Sequence, residues 1–212
     1  MKKVFIIFQI ICIMSILSGC KNARDIINDP MSDRALNNWS GVWHVYDTEL
    51  NTDGDIEYYT TYNYQTLETN FTGTDSYVGK KCIRYSWTGQ LEKAYNSTNG
   101  QWETAKWCGF HIDNSVARDM SPGGYNRITF YAKGSLSDKT NLEVKGPDSN
   151  DKVVITNNDL LPSTWKEFSI TITSVASLTN IKEVIKIIMN YTGISQGNGG
   201  TVYIDNIEYK KV

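Results

Sequence analysis

The chain has little of what the common enzyme classes are built from. It carries two histidines, His44 and His111, far apart and in no metal-ligand spacing, so the signature of a histidine-based zinc centre is missing. There is no Gly-x-Ser-x-Gly elbow, no phosphate loop and no dinucleotide fingerprint, which removes the marks of esterases, nucleotide hydrolases and dehydrogenases. Charge of one sign is also scarce: 21 Lys and Arg stand against 23 Asp and Glu. With no basic block, the sequence argues against nucleic acid or an anionic membrane surface as partner. The only long apolar run, Val4 to Leu17, is too short to span a bilayer as a stable helix.

That run has a different use. Lys2 and Lys3 precede it, and Leu17-Ser18-Gly19-Cys20 ends it. The order of charge, apolar run, small residues and cysteine resembles the bacterial lipobox. The resemblance implies cleavage before Cys20 and attachment of diacylglycerol to its sulfur, so that residues 1–19 are a signal peptide. The alternative is an ordinary secretory signal that carries a cysteine. A lipidated Cys20 places the protein in the bacterial cell envelope, anchored to a membrane by its N-terminal lipid; Lys21 rather than Asp after the cysteine fits the outer membrane or cell surface. Removing Lys2 and Lys3 from the 21 basic residues leaves 19 against 23 acidic ones, a net of −4.

Four cysteines are present. Cys12 leaves with the signal and Cys20 takes the lipid. Cys82 and Cys108 remain, in a compartment that permits disulfides. A bridge would close a loop of about 27 residues and contribute roughly 3–4 kcal/mol. Two buried thiols are the other reading.

Residues 20–38 are polar, contain Pro30, and read as a tether. From Trp39 to Val212 the texture is that of one all-β domain. Thirteen Tyr and many Thr, Ile and Val are cut by Gly, Asn, Asp and Ser clusters, the pattern of many short strands. Alternation shows their faces. Ile128, Phe130 and Ala132 oppose Arg127, Thr129, Tyr131 and Lys133; Leu142 and Val144 oppose Glu143 and Lys145; Phe168, Ile170 and Ile172 oppose Ser169 and Thr171. Ile83, Tyr85 and Trp87 share one face, and Ile56, Tyr58, Thr60, Tyr62 and Tyr64 another. Half-buried strands at regular spacing predict a sandwich or jelly roll. In "NIKEVIKIIMNY" the spacing of Ile181, Val184, Ile185 and Ile188 is helical, and the spacing from Ile185 to Tyr191 alternates. The segment is expected to hold one helical turn near 180–184 and a strand from 185 to 191.

Three motifs come in order: "DMSPGGYNRITFYAKGS", "STWKEFSITI" and "GNGGTVYIDNIEY". Over residues 107–209 they resemble the galactose-binding-like β-sandwich of carbohydrate-binding modules, in particular family 11. The resemblance implies a jelly roll that binds a poly- or oligosaccharide without catalysis. It also implies that the acid of the final strand, Asp205, helps to hold a structural calcium with groups of the first strand, for which Asp47 and Glu49 stand by chain position. Without a metal, Asp205 accepts hydrogen bonds at a bulge. Such a bulge at Asp205 and Asn206 lets Ile204 and Ile207 both face inward, and turns the carboxylate toward the first strand. Glu49, Asn51, Asp53, Gly54 and Asp55 approach the spacing of an EF-hand loop, but Thr60 stands at its twelfth position. A turn with positive φ at Gly54 is the expectation.

Six Trp and thirteen Tyr supply rings on which the C–H faces of sugars can rest, while polar neighbours bond the hydroxyls. The candidate contacts are Tyr131 beside Arg127 on an outward strand face, Trp102 and Trp107 at a loop-to-strand rim, and Tyr62. Two other functions share this fold: a structural or adhesive envelope lipoprotein that binds a protein, and a small glycoside hydrolase whose carboxylates meet only in space.

Overall fold

Short alternating segments separated by turn-forming residues fold into thirteen strands in the described structure. This computed structural model describes residues 42–47, 50, 52, 54–59, 64–90, 92–96, 98, 100–192 and 199–212. In chain order the strands are β1 (Val42–Tyr46), β2 (Ile56–Tyr58), β3 (Gln65–Phe71), β4 (Cys82–Trp87), β5 (Glu92–Asn96), β6 (Gln101–Ala105) and β7 (Trp107–Arg118). They continue as β8 (Arg127–Leu136), β9 (Thr140–Lys145), β10 (Lys152–Ile155), β11 (Lys166–Thr171), β12 (Ile181–Tyr191) and β13 (Gly200–Lys210).

Two antiparallel sheets result, so the expected all-β sandwich is what forms. One, here sheet A, runs β11-β8-β13-β4-β3, with β1 also paired to β13. The other, sheet B, runs β10-β9-β12-β7-β2. β5 and β6 form a separate hairpin. The inward residues of both sheets make one core. Trp43, Ile83, Tyr85, Ile128, Phe130, Ile204 and Tyr209 come from sheet A; Phe110, Ile112, Leu142, Val144, Ile185, Ile187 and Met189 come from sheet B. Tyr85 meets Phe110 across the gap with ring centroids 5.0 Å apart. Each such side chain contributes about 1.5–3 kcal/mol by leaving water, which is why alternation reads so directly as strand faces.

β12 is a strand throughout, without the expected helical turn. Its pairing with β7 shifts register between Ile181 and Glu183 and again between Glu183 and Ile185. These bulges turn both Val184 and Ile185 inward, and this places apolar residues at helix-like intervals on a strand. The last strand bulges as its sequence predicts. Register on β8 shifts between Asp205 and Glu208, and Asn206 takes a positive φ of 49°. Ile204 and Ile207 are consequently both buried. Gly54 is needed for a reason other than positive φ: a Cβ there would stand 2.1 Å from the Asp113 carbonyl oxygen.

Cys82 and Cys108 are free and buried. By strand alternation Cys82 lies on the outer side of sheet A, whereas Cys108 points into the core with Phe110. Burial pushes the thiols up, to about 11 at Cys82 and about 12 at Cys108, so neither is poised as a nucleophile.

Candidate functional site

The two outer faces carry similar side chains and use them differently. On sheet A, Tyr131, Lys133, Tyr203 and Asp205 face outward, with Lys133 opposite Tyr203 and Tyr131 opposite Asp205 in register. The loop 72–81, between β3 and β4, lies across them as a strap. Asp205 Oδ2 accepts the backbone N–H groups of Tyr77 (2.7 Å) and Val78 (3.0 Å), and Oδ1 accepts that of Asn206 at 2.8 Å. Lys133 Nζ donates to Thr74 Oγ1 and to the Asp75 carbonyl, both at 2.8 Å, and lies 4.6 Å from the Trp165 ring. Trp165 Nε1 donates to the same carbonyl at 3.0 Å. Tyr77 stacks on Tyr131 with centroids 3.5 Å apart and planes 12° from parallel.

Under the strap Asp205 is fully buried and Lys133 nearly so. Burial pushes the Asp205 carboxyl up, against the lowering effect of its three N–H donors. The Tyr131 hydroxyl is pushed up to about 12, first by its hydrogen bond with Tyr77 and then by burial. Tyr77 thus covers one face of the Tyr131 ring and is itself left 44% exposed.

Register orders the outer face of sheet B into three rows. The first runs Trp107, Asn190, Asn141 across β7, β12 and β9. One residue beyond the end of β10, Thr156 continues the row, since Ile155 pairs with Leu142. The second runs Gly109, Ile188, Glu143, Val154, and the third Glu57, His111, Lys186, Lys145, Lys152. Trp107 is 40% exposed and Val154 47%. Tyr59, just past β2, donates its backbone N–H to the Gly109 carbonyl at 2.9 Å, and its ring meets Trp107 edge-on at 6.4 Å. Glycine is required between Trp107 and His111, because a Cβ at Gly109 would stand 2.5 Å from the Ile187 carbonyl oxygen.

The charges of the third row are held in place. Glu143 pairs with Lys145, and with Lys152 at 3.0 Å; Lys186 pairs with Glu183 at 2.8 Å. At Glu143 burial raises the pKa, but hydrogen bonds from Lys145 and Lys152 outweigh it and the group sits below the ordinary glutamate value. His111 lies among Asp113 (3.6 Å), Glu57 (3.9 Å) and Glu183 (3.9 Å), with Tyr59 edge-on at 4.4 Å. Burial raises Asp113, and His111 opposes that rise.

The sequence-predicted residues are thus divided. Tyr131 and Arg127 belong to sheet A, Trp107 to sheet B, and Trp102 to β6, opposite Tyr95 in the hairpin register. Cys20, Glu49 and Tyr62 lie outside the described residues. The Asp205 carboxylate turns to the strap rather than to β1. Three N–H donors on its two oxygens present positive ends where a calcium would need free lone pairs, so its surroundings do not fit a cation. Asp47 is near enough to raise the Asp205 pKa by its charge, but among the described residues no three His, Cys, Asp or Glu come together as a metal site. Tyr59, Asn141 and Asn190 were not expected as site residues. Outward placement of the two amides is readable from alternation, but their alignment with Trp107 depends on register.

No family model matches the chain, and no curated protein does. Among solved structures, it is similar to a variant of a family 29 carbohydrate-binding module complexed with mannohexaose, at 11% identity and TM-score 0.39, covering 79% of this chain and 89% of that one. It is also similar to another variant complexed with cellulohexaose, at 13% identity and TM-score 0.38, with the same coverage. A further family 29 module aligns at 13% identity and TM-score 0.38, covering 79% and 86% of the two chains.

Proposed function

We propose that this protein is a non-catalytic carbohydrate-binding module that holds a glycan on the outer face of sheet B, tethered to the bacterial cell envelope by lipid on Cys20. The observation that carries the reading is the row Trp107, Asn190, Asn141 beside Tyr59. A half-exposed indole supplies a stacking surface, and aligned amides both donate to and accept from sugar hydroxyls. The flanking charges are mutually paired, which suits a neutral sugar.

A glycan array probed with the full-length chain tests this. The reading predicts binding to at least one neutral oligosaccharide and its loss in Trp107→Ala. Binding that Trp107→Ala leaves intact, or no glycan bound at all, overturns it. The anchor is tested separately: Cys20→Ser releases the protein from membranes if the lipid is there, and continued anchoring refutes it.

One observation favours a protein partner instead. Ile188 and Val154 place aliphatic surface in the second row of the same face. An envelope protein captured through Val154, with no glycan bound, would support that reading.

A further inference from the structure

The first row of sheet B leads off the sheet into a cleft. Asn141 belongs to both. The cleft, of about 310 Å³, is also lined by Asp138, Lys139, Thr156, Asn158 and Thr192. It opens where the turn into β9, the end of β10 and the end of β12 converge, which is the far end of the row that starts at Trp107. Its walls are fixed by bonds made behind the lining. Thr192 donates to the Lys139 carbonyl through both its backbone N–H (2.8 Å) and its hydroxyl (3.1 Å). Thr156 donates to Asp159 Oδ2 through its N–H (2.9 Å) and its hydroxyl (2.7 Å). Asn157 Oδ1 accepts the Leu136 N–H at 3.1 Å.

The lining differs in kind from the platform. It has no aromatic or aliphatic side chain and is made of amides, hydroxyls, one carboxylate and one ammonium. Such a set cannot stack a ring. It can read hydroxyls: its amides donate and accept, the Thr156 and Thr192 hydroxyls, whose protons go to Asp159 and the Lys139 carbonyl, accept, a carboxylate accepts and an ammonium donates. Asp138 and Lys139 offset each other, so the cleft carries no net charge to favour a uronate or sulfate.

Resting on the proposed glycan-binding reading, we infer that this cleft is a second subsite, which takes the end of a neutral oligosaccharide laid across the strands from Trp107. From β7 through β12 to β9 is two strand spacings, about 10 Å. A short saccharide seated at Trp107 stops on Asn190, and only a longer one enters the cleft. The platform then supplies most of the affinity, and the cleft supplies length preference and hydroxyl discrimination.

The test is calorimetric titration of the full chain with cello-, manno-, xylo- and laminari-oligosaccharides of two to six units. Wild type is compared with the double variant Lys139→Ala, Asn158→Ala, both positions being exposed. The inference predicts that wild-type affinity rises with length in the series that binds. The double variant should bind the shortest ligand as wild type does and the longest about tenfold more weakly, as expected for two lost hydrogen bonds. If the double variant follows wild type at every length, the cleft is no subsite, while the glycan-binding reading stands. If wild type binds no member of any series, that reading fails and takes the inference with it.

Discussion

The two outer faces of this sandwich carry the same kinds of residues: a tyrosine, a tryptophan, lysines and carboxylates. On sheet A they are occupied. Asp205, Lys133, Trp165 and Tyr131 each engage the strap at 72–81. On sheet B, Trp107 is left 40% exposed in line with two amides. An aromatic residue at an outward strand position is therefore not evidence of a ligand platform. What decides is whether another part of the chain already fills its face. Buried charge marks the filled side: Asp205 and Lys133 point away from the core and yet are buried, because the strap covers them and supplies their partners.

If sheet A serves the fold and sheet B serves binding, variants on the two faces should separate. The largest effect is expected at the strap. Asp205→Ala leaves two strap N–H groups and the Asn206 N–H without their acceptor, and should lower unfolding free energy by roughly 3 kcal/mol. Denaturant titration measures this, and a loss below about 1 kcal/mol would mean that the strap is held some other way. Tyr77→Ala removes one stacked ring from a partly exposed site and should cost about 1 kcal/mol with glycan affinity unchanged. A loss of affinity in that variant would move the binding site to sheet A.

Smaller effects sharpen the contrast. Glu143, on the outer face of sheet B, is held below the ordinary glutamate value by Lys145 and Lys152. It therefore contributes stability that is present above its unfolded pKa and is lost as pH falls through the folded value. Glu143→Gln should flatten the acid side of a plot of melting temperature against pH, and an unchanged slope would show that the pairing does not persist in solution. The smallest expected effect is none. Because Asp205 is surrounded by N–H donors, EDTA should leave the melting temperature where it was; a fall would bring back a calcium at that carboxylate.

Much of this was legible in the sequence. Alternation gave the strand faces around Ile128, Leu142, Phe168 and Ile83, because core burial selects period two. The Asp205–Asn206 bulge was legible too, since two inward isoleucines three apart leave no other regular solution. β12 misled because its bulges put Val184 and Ile185 side by side on the inner face. The strap was not legible: it joins Asp205 to residues 128 and 127 positions away, and no local pattern records that pairing. The site was half legible. Trp107 stands out by residue type, whereas its row with Asn190 and Asn141 exists only once three strands are in register, and register is a tertiary property.

The central claim, that one face binds and the other holds the fold, is tested most directly by titrating one neutral oligosaccharide into wild type, Trp107→Ala and Tyr131→Ala in parallel. Trp107→Ala is expected to abolish or strongly weaken binding, and Tyr131→Ala to bind as wild type does. Binding lost in Tyr131→Ala and kept in Trp107→Ala would contradict it.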